Sequence, residues 1–446
     1  MSAHSSSPGL DTVNVSFFPK DNGLGRKDCP IVITPRRDDS LSFLLQWTTT
    51  NRPWLNDMLL QHGAVLIRGF EIGSPKDMEC AAQAFQPVLN NTYRGTSPRR
   101  VLGDTTYVFS AAEVPTNYPI AQHIEMSFLK APPKQLFFGC LQPSQSAGGE
   151  TALADFRKVF QDLSPELKQK FLDKGVRYMR THQKKGSYLT YDVADMLGWP
   201  EMFGTDSKEE VEAMCAAEGL PVEWKGDTFV STTQTHAFQL HPVTQEHVWF
   251  NHTQVFHWTT FPAELWFAFR RTGEWRLLLH CLLVTVFCLI KYALLGHKMA
   301  LHSTFGDGEE ISFAEMTEIR RSIHKNMVFF RWQKGDLLMI DNFSTSHGRQ
   351  PTYDKNRKIA VAWACPMAKA DAVTSLEPVQ PISMENPQER TPESTLTKND
   401  SAILQNELFA KQIEGKLSSI ISNPQERVDH LNNLFTVKDT PPGCVF

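Results

Sequence analysis

Short apolar runs closed by Gly, Pro, Asn or Asp recur along the first 366 residues, with longer amphipathic stretches between them. Gly63 to Phe70 (GAVLIRGF) is the first clear case, an apolar segment bounded by glycine that suits a buried strand. Gln135 to Leu141, Val248 to Asn251, Met327 to Trp332, Asp336 to Asp341 and Lys358 to Ala364 repeat the pattern and are predicted as strands. Ser74-Pro75 opens a helix through about Phe85, with Pro in the first turn, where its missing N–H does no harm. Phe156 to Gly175 reads as a helix with a Ser164-Pro165-Glu166 start in its second half. Ser207 and Glu210 form a capping box for another through Ala217. Many short strands with long helical excursions predict a mainly β fold: a jelly-roll core with helical insertions.

One run breaks this rhythm. From Leu277 to Ile290 only His280 and Thr285 are polar, and Trp275-Arg276 and Lys291-Tyr292 flank the run as they would a membrane segment. As a helix it spans about 21 Å, short of the roughly 30 Å of a bilayer core. The apolar helical insert, about 271–298, is therefore expected to pack on the core as a lid; contact with a membrane surface is the less favoured alternative.

The ends differ from the middle. Residues 1–25 are polar with several Gly and Pro and read as a flexible arm, leaving 26–366 as the main domain. Residues 367–400 are rich in Pro, Ser, Thr and Glu and are expected to be a disordered linker. In the C-terminal tail, 401–446, Leu404, Leu408, Ile413, Leu417 and Ile420 restore helical spacing.

Charge and cysteines exclude several classes. With 45 basic and 49 acidic side chains the net charge is −4, so nothing points to nucleic acid. Eight scattered cysteines without a CxxC pair suit reduced thiols rather than a disulfide framework or a zinc ribbon. The Ser-rich start carries no apolar signal segment, and the cytoplasm is the expected compartment.

The candidate chemistry begins at His123-Ile124-Glu125. In extended chain, positions two apart project to one face, so imidazole and carboxylate can reach one ion. Alone the spacing is weak. A second segment strengthens it: Gly335 to Arg349, an apolar strand ending in a polar loop that carries His347. Two His and one carboxylate leave three positions of an octahedral ion open, which suits iron(II) binding a bidentate co-substrate and dioxygen. Four protein ligands would suit a structural metal.

These segments and their neighbours resemble the taurine dioxygenase and clavaminate synthase-like superfamily of iron(II)- and 2-oxoglutarate-dependent oxygenases. The resemblance is carried by Gly63-Ala-Val-Leu-Ile-Arg68-Gly-Phe70, Ile120-Ala-Gln-His123-Ile-Glu125-Met-Ser-Phe128, Pro132-Pro133 and Gly148-Gly-Glu-Thr151-Ala-Leu-Ala-Asp155. It continues through Val248-Trp-Phe-Asn251, Leu301-His-Ser-Thr-Phe-Gly-Asp-Gly308, Asp341-Asn342 and Ser346-His347-Gly-Arg349-Gln-Pro351. It implies a distorted double-stranded β-helix with His123, Glu125 and His347 as iron ligands. Thr151 and Arg357 would hold the distal carboxylate of 2-oxoglutarate, for which a planar guanidinium fork is suited. Arg349 is a competing fork, read as a structural salt bridge near the iron. Glu125 fills the position that halogenating relatives leave open, so hydroxylation, desaturation or epoxidation of a small, amino-acid-like molecule is implied, with release of succinate and CO₂.

Other polar residues carry weaker expectations. Asn251 lines the pocket or is a satisfied core amide, and His302 with Asp307 sits in a polar loop near the substrate side or in a simple turn. His236, His241, His252 and His257 lack a carboxylate at ligand spacing, so a second metal site is not favoured. Tyr93-Arg94-Gly95 through Arg99-Arg100 is read as a solvated charged loop rather than a cationic pocket wall. The rival functions are a non-catalytic β-barrel interaction protein, membrane-associated through the insert, and a zinc hydrolase.

Overall fold

A computed structural model of the chain describes residues 9–17, 29–91, 99–111, 114–184, 198–370 and 373. The first apolar run becomes the strand Ala64–Ile67, buried throughout, after Gly63 at φ 80° ends the helix Arg52–His62. It runs parallel to Ile31–Pro35 and antiparallel to Leu337–Asp341. Leu337–Asp341 pairs with Gln135–Gln142, which pairs with Lys358–Ala364. Alternation then sorts the side chains. Val65, Ile67, Phe137, Leu337, Met339 and Ala360 pack with Met78, Ala82 and Phe85 of the helix Pro75–Phe85. Leu66, Leu136, Phe138, Leu338, Ile340 and Trp363 face the other way and pack with Leu153 of a second sheet. These strands are buried on both faces, which is why they read as unbroken apolar runs.

That second sheet carries the chemistry. Its strands lie in the order Met327–Val328, Thr151–Asp155, Thr345–Arg349, Ile120–His123. A further four-stranded sheet contains Val176–His182 and Leu301–Phe305, and a two-stranded hairpin joins Phe238–Leu240 to His247–Trp249. The architecture is mostly sheet with helices.

Several expectations change. Within the arm 1–25, Val13–Phe17 is an edge strand paired with Ile31–Pro35, because VNVSF alternates with period two. Phe156 to Gly175 is two helices, Phe156–Asp162 and Pro165–Lys174; the Ser164 hydroxyl accepts from Leu167 N and starts the second. Ser207 caps Lys208–Glu218, but Glu210 bonds the Thr205 hydroxyl, so the reciprocal half of that capping box is missing. Complete boxes form at Ser74/Asp77 and Ser312/Glu315. Met327 to Trp332 is a strand only at Met327–Val328.

Of the linker expected at 367–400, residues 367–370 and 373 are described, and the rest lies outside the described residues. Met367 N and Lys369 N donate to the Pro132 and Lys130 carbonyls, and Val373 is buried in the core. The helical spacing of 401–446 lies outside the described residues. Among the described residues no disulfide is present.

The insert is an antiparallel helix pair, Thr260–Thr272 and Trp275–Cys288, the second continuing as a π-helix to Leu294. It is not a buried lid: only 22% of an 18-residue window within Trp275–Leu294 is buried. The sequence marked the apolar character, but only the packing shows which flank of the helix has a neighbour.

Candidate active site

His123 and His347 face each other in register on adjacent antiparallel strands. Directly opposed positions hold their Cβ atoms within about 4.5–5.5 Å and on one face, and the two imidazole centroids are 4.3 Å apart. Glu125 lies past the end of the Ile120–His123 strand, so the ladder does not hold it. Asn342 does. Its Oδ1 accepts from Glu125 N at 2.9 Å, and its Nδ2 donates to the Glu125 and Pro133 carbonyls at 3.0 and 2.8 Å. Met126 then takes φ 54°, a conformation rare for a non-glycine residue and one found at functional sites.

The three side chains converge. Glu125 Oε2 is 3.6 Å from His347 Nε2 and 4.0 Å from His123 Nε2, and one ligand atom from each residue lies within 4.8 Å of the others. No other such group occurs among the described residues. His123 Nδ1 meets the Ala121 carbonyl at 2.9 Å, which leaves Nε2 for a metal, whereas His347 Nδ1 is buried without a hydrogen-bond partner among the described residues. Burial, followed by the neighbouring His347, lowers His123 to about 4, so it is a neutral donor. Burial alone would raise Glu125, but Arg99, His347 and His123 outweigh it and hold the carboxyl ionised well below its usual range. Two imidazoles and one carboxylate on one side of a cavity fit a divalent ion with open positions.

The cavity lies between the two sheets, with Phe138 and Ile359 on one wall and Ile120 and Thr151 on the other. Thr151 Oγ1 accepts from Trp332 Nε1 at 3.2 Å. Arg357 Nε donates to the Gly149 carbonyl at 2.5 Å. Gly148 and Gly149, at φ 83° and 78°, bring that turn onto the chain before Arg357: a Cβ on Gly148 would lie 1.9 Å from the Pro351 carbonyl oxygen. Arg349 also lines the cavity but forms no salt bridge among the described residues, contrary to expectation. Its Nη groups donate to the Val114, Pro115 and Tyr118 carbonyls, and its Nε is buried without a partner. Burial, then repulsion from Arg357, lowers Arg349 to about 9, and burial lowers Arg357 to about 10.

The weaker candidates separate. Asn251 is a satisfied core amide, donating to the Ala237 carbonyl and accepting from Thr253 N, and it does not line the cavity. His252 lines it instead, its ring centroid 5.8 Å from that of His123 and its Nδ1 against the Ser127 hydroxyl at 2.5 Å. A shift of one residue at the end of a strand changes the face. His302 sits on the strand Leu301–Phe305 rather than in a loop, faces Glu310, and leaves the cavity wall to Leu301. His241 pairs with Asp341, His257 meets Thr259 and the Ile311 carbonyl, and His236 is exposed. The histidine patch is therefore dispersed. Arg99 overturns the reading of a solvated loop: its Nη2 donates to Glu125 Oε2 at 3.0 Å, and its side chain is 6% exposed. No spacing rule links it to Glu125; Tyr93 to Gly95 lie outside the described residues.

The chain is similar in sequence to known proteins. The chain is 29% identical over 336 residues to the dapdiamide synthesis protein DdaC of Enterobacter agglomerans, covering 75% of this chain and 88% of that protein. It is 26% identical over 357 residues to a clavaminate synthase-like protein of Arabidopsis thaliana, covering 77% and 95%. The crystal structure of PvcB from Pseudomonas aeruginosa aligns with 82% of this chain and 98% of its own at 12% identity and a TM-score of 0.45. The family model for the taurine catabolism dioxygenase TauD, TfdA family matches residues 27–363, a span that holds the triad, the glycine turn and both cavity arginines, and the chain belongs to that family.

Proposed function

We propose that this protein is an iron(II)- and 2-oxoglutarate-dependent dioxygenase that oxidises a small molecule and releases succinate and CO₂. The observation that carries the reading is the convergence of His123, Glu125 and His347 in one buried cavity with Thr151 and Arg357. Membership of a dioxygenase family supports it. In this reading the core is the distorted double-stranded β-helix that the resemblance implies.

Bound iron(II) supplies activation of dioxygen coupled to oxidative decarboxylation of the co-substrate. The residues of the chain do the rest. Arg357 and Thr151 bind the distal carboxylate, Arg357 fixed by its bond to Gly149 and the Thr151 hydroxyl fixed by Trp332. Arg349 and Arg357 are both buried in the cavity wall, and neither forms a salt bridge among the described residues. Buried charge of this kind is compensated when a dicarboxylate enters. Phe138, Phe256 and Ile359 keep water from the reacting atoms. Glu125 occupies the third ligand position, so hydroxylation, desaturation or epoxidation is proposed over halogenation, and an amino-acid-like substrate is proposed by analogy with the family.

The test is 2-oxoglutarate-dependent succinate formation by the iron-loaded protein, with and without metabolite extract, read together with substrate mass gain. Succinate above that of His347→Ala supports the reading. Hydrolysis independent of 2-oxoglutarate would point to a zinc enzyme, and absence of both iron binding and turnover to an interaction protein.

A further inference from the structure

The chain leaves the cavity wall at Phe256 and returns to it at Leu301, and the helix pair lies between these points. One side of the apolar helix is seated. Leu277 and Cys281 pack with Leu265 and Ala268 of the first helix, and Cys288 and Tyr292 pack with Met299, Trp258 and Phe261. Among the described residues nothing packs on the opposite side. Leu279, Leu282, Leu283, Val286, Ile290 and Leu294 are 49% to 78% exposed. Steps of three and four residues join them into one stripe along the helix.

We propose that this stripe docks the protein on one face of an anionic lipid bilayer, with the helix lying in the boundary between headgroups and acyl chains. Composition favours lipid over another protein. The stripe offers aliphatic side chains only, whereas a protein interface carries about one hydrogen bond per 100–200 Å². Its ends carry the residues that favour a membrane boundary. Trp266 and Trp275 are 48% and 66% exposed. Arg270, Arg276, Lys291 and Lys298 accompany them; Arg276 pairs with Glu274, the only acid from 266 to 298, and Lys298 pairs with Glu310. This basic segment belongs to a chain of net charge −4 and is complementary to anionic headgroups.

Topology excludes a crossing. The helix of 20 residues is long enough for one, but Val176–His182 before it pairs with Leu301–Phe305 after it. Both ends therefore emerge on the same side. Docking also brings the cavity to the lipid surface. The Tyr118 ring packs edge-on against His280 of the apolar helix at 4.8 Å, and its carbonyl accepts from Arg349 in the cavity wall. The inference does not depend on the oxygenase reading.

The test is flotation of the full chain with phosphatidylcholine vesicles, with and without phosphatidylserine. The protein should float, more so with phosphatidylserine. Leu282→Ser/Leu283→Ser/Val286→Ser should lower the floated fraction about tenfold or more with an unchanged circular dichroism spectrum. Arg270→Glu/Lys291→Glu should remove the gain from phosphatidylserine alone. Quenching of tryptophan emission by brominated acyl chains in the wild type, weakened in Trp275→Phe, gives a readout that does not need the triple variant to fold. A wild type that stays at the bottom of the gradient overturns the proposal. So does a folded triple variant that floats normally, or a stripe that serves only to pair two copies, seen as a vesicle-independent dimer lost in the triple variant.

Discussion

Arg99 donates to the Glu125 oxygen that faces both His123 and His347. This bond holds a buried carboxylate in the orientation a metal requires, which is the role of a partner behind a ligand. Arg99→Ala is expected to weaken iron(II) binding by about 10–100-fold, measured by anaerobic titration. An unchanged affinity would show that Arg99 serves only the fold.

The two cavity arginines should separate in kinetics. Arg357→Ala removes the fork proposed for the distal carboxylate and should raise the apparent 2-oxoglutarate constant by the equivalent of about 2–5 kcal/mol. Arg349 holds three loop carbonyls, so Arg349→Ala should lower the melting temperature first. If only Arg349→Ala raises the co-substrate constant, the roles are reversed.

Gly148→Ala combines a positive φ with a Cβ 1.9 Å from the Pro351 carbonyl oxygen. Because that carbonyl is backbone, the turn must move, and Arg357 with it. A loss of about 1–3 kcal/mol in stability is expected, along with a weaker apparent affinity for 2-oxoglutarate. A loss of stability with normal co-substrate affinity would detach the turn from the anchor.

Asp341 Oδ2 meets His241 Nε2 at 2.9 Å and also accepts from the Ser344 hydroxyl, joining the two-stranded hairpin to the central sheet. Burial would raise its pKa, but His241 and these bonds outweigh it and place it below 3.8. A folded pKa lower than the unfolded one contributes stability that is complete above 3.8 and is lost as pH falls through the folded value. Asp341→Asn should therefore cost about 3–5 kcal/mol at neutral pH and flatten the acid limb, measured by urea denaturation across that range. A parallel downward shift at every pH would contradict the assignment.

Strands buried on both faces were legible because nothing polar interrupts them, as at Lys358–Ala364, whose bounds match the expectation. Helix starts were legible where Ser precedes Pro, as at Ser74 and Ser164. The triad was legible as residue types in family order. Its support was not: Asn342 reaches Glu125 across 217 positions, and Arg99 enters from a loop without periodicity. His252 lay hidden beside Asn251 because the strand ends at Trp249, and strand alternation says nothing beyond it. The exposed stripe was hidden for another reason: hydropathy along the chain does not say whether a neighbour is present.

The ladder between His123 and His347 fixes their separation by backbone pairing, whatever the chain does in the interval. Two donors paired on one rung of adjacent strands keep their spacing when a loop between them lengthens, since ladder geometry is local. The catalytic centre is thus insulated from insertion. An ancestor could accept a helical hairpin between Phe256 and Leu301 and acquire a new surface without re-optimising its metal geometry. A slip of one rung in the same ladder would instead turn an imidazole to the opposite face and dismantle the centre in one step.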